Sequence, residues 1–198
     1  MDCARLLRHL DIASAHVVGH SFGGVVAMQL AMETPSMVRS LALLEPALIV
    51  GESGPGYRES LAQGMQHFRE TDPSVVVDEM ARARWPAYRD GLEQVLPGAL
   101  ERAIRDSAAS FEAELPALLA WGFTEEQAGK ITQPVLSVLG AESPSLSPRF
   151  LEVHEWLLDH VPIAQGFVLP RAHHFLQVEN PRDMAVALAT FLAGKPIT

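Results

Sequence analysis

At residues 15–32 the chain passes from a short β-branched stretch, through Gly19-His20-Ser21-Phe22-Gly23, into a long run of Val, Ala, Met and Leu. Residues 15–18 have the length and composition of a buried strand, and residues 25–32 those of a helix. A single serine therefore falls on a strand-to-helix turn. In so sharp a turn a Cβ at either flank would crowd the neighbouring strand or helix, so glycine at 19 and 23 lets Ser21 project, and Gly24 extends the close approach. The helix that starts beside it aims unpaired N–H groups and a positive dipole end at the hydroxyl.

The same pattern organises the rest of the chain. Asp2 to Leu10 puts Leu6, Leu7 and Leu10 on one face and predicts a short amphipathic helix leading into the first strand. Pro35 ends the helix after Ser21, and residues 40–44 form a second strand, apolar throughout. Strand signal returns at 134–140 and 166–169, with a helix between them that opens at Ser147-Pro148 and runs to about His160. Asn180, Pro181 and Asp183 mark the start of a last helix whose apolar stripe is Met184, Ala187, Leu188, Phe191 and Leu192. Continuous apolar strands separated by helices predict an α/β fold, a mainly parallel sheet covered on both faces. From about residue 46 to 130 no strand is evident, and 57–70, 73–84, 97–109 and 111–121 have helical patterns. A helical insertion, 46–130, is thus expected between core segments 1–45 and 131–198.

Composition narrows the partners. A formal net charge of -9 over 198 residues, without a Lys/Arg cluster, disfavours nucleic acid and anionic lipid. Cys3 is the only cysteine, which rules out an intramolecular disulfide and a thiolate metal cage. No histidine pair has convincing metal-ligand spacing and no phosphate-binding loop is present, so neither metal nor cofactor is expected. The first ten residues alternate charge with leucine, unlike a signal peptide, and a cytoplasmic location is expected.

A serine hydroxyl is a weak nucleophile until a base takes its proton. Of the eight histidines, His173 and His174 follow the fourth strand and precede the last helix, on a loop at the carboxyl edge of the sheet where Ser21 also lies. His9, His67, His154 and His160 fall in predicted helices. The pattern G-x-S-x-G between strand and helix is the nucleophile elbow of the α/β-hydrolases, and nearly the whole chain resembles that superfamily, in the serine hydrolase branch with a helical cap. The family's H-F-L-x-x-E-x-P pattern is similar to His174-Phe175-Leu176, with Glu179 and Pro181 in place. The resemblance implies that His174 is the base, His173 a structural or solvated neighbour, and His20 a packing residue of the elbow.

The acid departs from the family pattern. Where the resemblance implies aspartate, three residues beyond Gly140, the chain has Ser143. Two carboxylates keep the order nucleophile, acid, histidine: Glu45, at the end of the second strand, and Glu142 in the loop after Gly140. Parallel strands lie about 4.8 Å apart, which favours Glu45, and its apolar flanks make an unpaired charge there costly unless an imidazole compensates it.

Compared with the family, only one helix precedes the elbow. The segment that normally pairs with the 15–18 strand on its far side and carries the second oxyanion donor has no counterpart, as in a mis-called start or a fragment. Losing one such donor costs roughly 100- to 1,000-fold in rate. An uncovered, valine-rich edge at residues 15–18 predicts self-association. The expected activity is cleavage of a small-molecule carboxylic ester through an acyl-enzyme, with Ser21, His174 and Glu45 as the triad and the Phe22 amide holding the oxyanion. Phe68, Met80, Trp85 and Trp121 are candidates to line the acyl pocket, or simply cap core. A carbon–carbon bond hydrolase, a thioesterase, or an impaired fragment acting as a binding module are the alternatives.

Overall fold

A computed structural model describes residues 2–194. In chain order the elements are α1 (Asp2–His9), β1 (Ala15–His20), α2 (Phe22–Glu33), β2 (Val38–Leu44), α3 (Gly54–Glu70), α4 (Pro73–Arg84), α5 (Tyr88–Val95), α6 (Ala99–Ala109), α7 (Leu115–Ala120), α8 (Glu125–Ala128), β3 (Val135–Gly140), α9 (Ser143–Leu146), α10 (Arg149–His160), β4 (Ala164–Leu169), α11 (Leu176–Glu179) and α12 (Pro181–Leu192). The four strands pair in parallel, in the order β1-β2-β3-β4.

The all-apolar sequence of β2 follows from its central place. Leu41 and Leu43 face one side of the sheet with Met28 and Leu30 of α2, while Ala42 and Leu44 face the other with Leu136, Val138, Met184 and Phe191. Leu41 and Leu43 are fully buried, each contributing about 1.5–3 kcal/mol relative to exposure. β1 and β4 are edge strands, and every second residue or so is open to solvent.

α12 begins as its sequence prescribes, with Pro181 in the first turn and the Asn180 side chain accepting from the Asp183 amide at 3.3 Å. Two details differ from expectation. Leu6 and Leu10 are 56% and 54% exposed, because α1 docks through Ala4 and Leu7 instead, which leaves Leu6 beside the uncovered side of β1. The chain also forms α5, where Trp85-Pro86 and Asp90-Gly91 look like breakers; Tyr88, buried, anchors it by donating its hydroxyl proton to Asp78.

Candidate active site

Ser21 lies between β1 and α2 with φ 51° and ψ -119°, a conformation L residues rarely adopt. The surrounding backbone holds it there: the Ser21 amide donates to Leu44 O and its carbonyl accepts from Ala47 and Gly24, all at 3.0 Å. Glycine is needed at 19, where a Cβ would run into the Gly23 carbonyl, and at 24, where it would stand 2.6 Å from Pro46 Cβ. Gly23 differs from the expectation, since a Cβ there would meet nothing within 4 Å. Its missing side chain leaves room in the cleft rather than relieving the turn.

Glu45 ends β2 one strand over, also with positive φ, 43°. Its Oε2 is 2.7 Å from His174 Nδ1, and Oε1 accepts from the Gly140 amide at 2.8 Å. Both side chains are almost wholly buried. Burial raises the Glu45 carboxyl, while the neighbouring Ser143 hydroxyl and the Gly140 amide pull it back down. Burial, aided by Arg84 and Arg149, holds His174 well below 6.5, which leaves the ring uncharged at pH 7. With Nδ1–H directed at the carboxylate, the acceptor lone pair falls on Nε2. Among the described residues no hydrogen bond joins that ring to the Ser21 hydroxyl; such bonds are often long before substrate binds.

Glu142 is exposed at the start of α9 and does not meet His174. Ser143, at the position where the resemblance implies aspartate, is fully buried, with its hydroxyl beside the Glu45 carboxylate. His173 turns away to Glu179, with Nδ1 2.9 Å from Oε2. The other oxygen of Glu179 accepts from the His173 and Phe175 amides at 3.0 and 3.1 Å, clamping the loop on both sides of His174. Phe22 opens α2, so its amide is one of the first-turn donors without an intrahelical acceptor.

A cleft of about 810 Å³ opens over Ser21, with His20 and Phe22 on its floor and Tyr57, Leu61, Met80 and Arg84 among its walls. It continues past Val17, Val18 and Leu6 along the free side of β1. Of the four cap candidates only Met80 lines it. Phe68 stacks on Phe111 at 4.3 Å, Trp85 leans on Phe175, and Trp121 stacks on Phe123 while donating from Nε1 to Gln29 at 2.7 Å.

Arg84 and Arg149 were missed from sequence. Arg149 is buried and Arg84 half-buried, desolvation pulls both guanidiniums below their ordinary pKa, and among the described residues neither has an ion-pair partner. Arg84 donates only to Met80 O, in its own helix. Arg149 lies over the Tyr57 ring, 4.0 Å from its centroid, with Nη1 unpartnered. One signal was legible: Arg84, near the end of its helix, has no acid four residues to either side.

A parallel sheet with a strained serine after one strand and, after the next, a carboxylate paired with a buried imidazole has the layout of a hydrolase-type α/β protein. The comparisons agree. Residues 1–187 match the model of the alpha/beta hydrolase family, and the chain belongs to that family. It is 29% identical over 205 residues to 2-hydroxymuconate semialdehyde hydrolase of Pseudomonas sp. (strain CF600), covering 95% of this chain and 65% of that protein. It is 30% identical over 198 residues to pimeloyl-[acyl-carrier protein] methyl ester esterase of Chromobacterium violaceum, covering 92% of this chain and 74% of the esterase. Among solved structures, an esterase from Exiguobacterium antarcticum superposes with a TM-score of 0.78 at 16% identity, over 97% of this chain and 71% of that one. The chain thus spans under two thirds of the length of the first relative.

Proposed function

We propose that this chain carries the machinery of a serine hydrolase that cleaves a carboxylic ester through an acyl-enzyme. The observation that supports it most is the buried 2.7 Å contact between His174 Nδ1 and Glu45, one strand from the elbow that presents Ser21. In this reading Ser21 Oγ attacks the ester carbonyl as His174 Nε2 takes its proton, and Glu45 stabilises the imidazolium. The Phe22 amide holds the oxyanion. The imidazolium returns the proton to the leaving alkoxide, and water then attacks the acyl-enzyme by the same route. Catalysis takes place in the cytoplasm on a small molecule that fits the cleft.

A fluorophosphonate probe tests this reading. Covalent labelling that disappears in Ser21→Ala is expected, with turnover of short nitrophenyl esters; folded protein that neither labels nor turns over would leave only a binding module.

A second reading, hydrolysis of a carbon–carbon bond, is favoured by Arg84. An unpaired guanidinium in the wall of the cleft suits a substrate bearing a carboxylate, and the Pseudomonas relative is named for such a compound. Arg84→Gln should raise KM for a dicarboxylic monoester by about 10-fold or more and leave an uncharged ester nearly unaffected. Equal effects on both esters would remove the support for this reading.

A further inference from the structure

His20 does more than fill space in the elbow. Its Nε2 is 2.7 Å from the carbonyl oxygen of His174. A carbonyl can only accept, so Nε2 carries the proton and the neutral ring keeps its lone pair on Nδ1. Gln177 matches that tautomer, with its amide nitrogen 3.4 Å from Nδ1. The two imidazoles lie with centroids 4.7 Å apart and planes tilted by 41°. Burial, with His174 alongside, pushes His20 down to about 4, which keeps it uncharged at pH 7.

The His174 peptide is therefore held at both ends. Its amide donates to Arg84 O at 3.3 Å, from the last turn of α4, and its carbonyl accepts from the elbow. His20 is the residue before Ser21, so one side chain spans from the strand end that carries the nucleophile to the backbone of the base. We propose that His20 is a positioning residue: as the Nε2–H tautomer it grips the His174 carbonyl and fixes the spacing of that ring from Ser21. This inference rests on the serine hydrolase reading.

Displacement of a reacting group by about 1 Å can lower rates by about 100-fold. His20→Phe, which keeps the volume and loses the donor, should lower kcat on a nitrophenyl ester by about 10- to 100-fold with KM changed by less than about 3-fold. His20→Gln places an amide N–H near the Nε2 position and should stay within about 3-fold of the unsubstituted protein. Nitrogen-15 NMR of the unsubstituted protein at pH 7 should show His20 as the Nε2–H tautomer, and this decides the matter should His20→Phe not fold. An Nδ1–H tautomer, a fully active His20→Phe, or a His20→Gln as impaired as His20→Phe would each overturn the proposal. Failure of the unsubstituted protein to label or turn over would instead overturn the hydrolase reading, leaving the tautomer measurement to judge the hydrogen bond alone.

Discussion

Glu45 approaches the His174 ring from the end of β2, with Oε2 2.7 Å from Nδ1, while Ser143 lies buried beside the same carboxylate. Glu45→Gln keeps an acceptor for the Gly140 amide but presents N–H to Nδ1, forcing the proton onto Nε2 and removing the proposed base. A loss of about 10⁴-fold in kcat is expected, as for the equivalent change in a serine protease triad. The melting temperature should not fall, because the change also removes a buried charge. Glu142→Gln should stay within about 2-fold. Steady-state kinetics and thermal melts on the two variants check this, and equal losses would remove Glu45 from its proposed role.

Ser143 offers a second place for the acid. Its side chain is buried beside Glu45, so Ser143→Asp introduced into Glu45→Gln should recover about 10-fold or more of the lost kcat. No recovery in a folded double variant would mean that position 143 cannot reach the imidazole.

The pH dependence has a definite sign. His174 is held well below 6.5 by burial, so it is already deprotonated at that pH. The kcat/KM of ester hydrolysis should be level from pH 6.5 to 8 and fall only in more acidic solution, and an acid limb at 6.5 or above would contradict the assignment. Stability follows the same direction. His20, His154 and His174 all have folded values below 6.5, so unfolded chains take up protons first and the fold loses stability as pH drops below that value. Glu45, raised by burial, acts in the opposite sense and offsets part of this loss. Thermal melts from pH 7 to 5 should therefore move downward.

Among the described residues β1 is paired on one side only, and Val18 and Leu6 are each about half exposed along its free side. An unpaired strand of this kind is a template for another chain. Light scattering on residues 1–198 should show self-association, weakened by Val18→Lys. A monodisperse monomer would contradict the expectation.

The core strands and the elbow were legible because each is a local statement. Leu41 through Leu44 can only be buried strand, the β-branched pair Val17 and Val18 reads as strand even though it lies on the open edge, and a serine between glycines at such a junction is tightly constrained. Glu45 was legible for a related reason: a carboxylate directly after an apolar strand needs a partner, and parallel pairing limits where that partner can be. Tertiary contacts were not legible. The hydrogen bond of His20 reaches a carbonyl 154 positions away, and Arg149 meets Tyr57 only across the fold. α5 was hidden because Asp90 and Gly91 interrupt its eight positions, while what anchors it is the tertiary burial of Tyr88 and Leu92.

The hydrogen bond from the His174 amide to the carbonyl of Arg84 has an engineering consequence. Lids are often exchanged between related enzymes as though they were detachable modules. In this molecule the final residue of α4 belongs to two places at once, its side chain facing the substrate cleft and its main chain bracing the imidazole loop. A graft that alters the pitch or length of α4 would thus carry its effects straight into the proposed reaction centre, and chimaeras should be joined after Arg84 in the chain rather than before it.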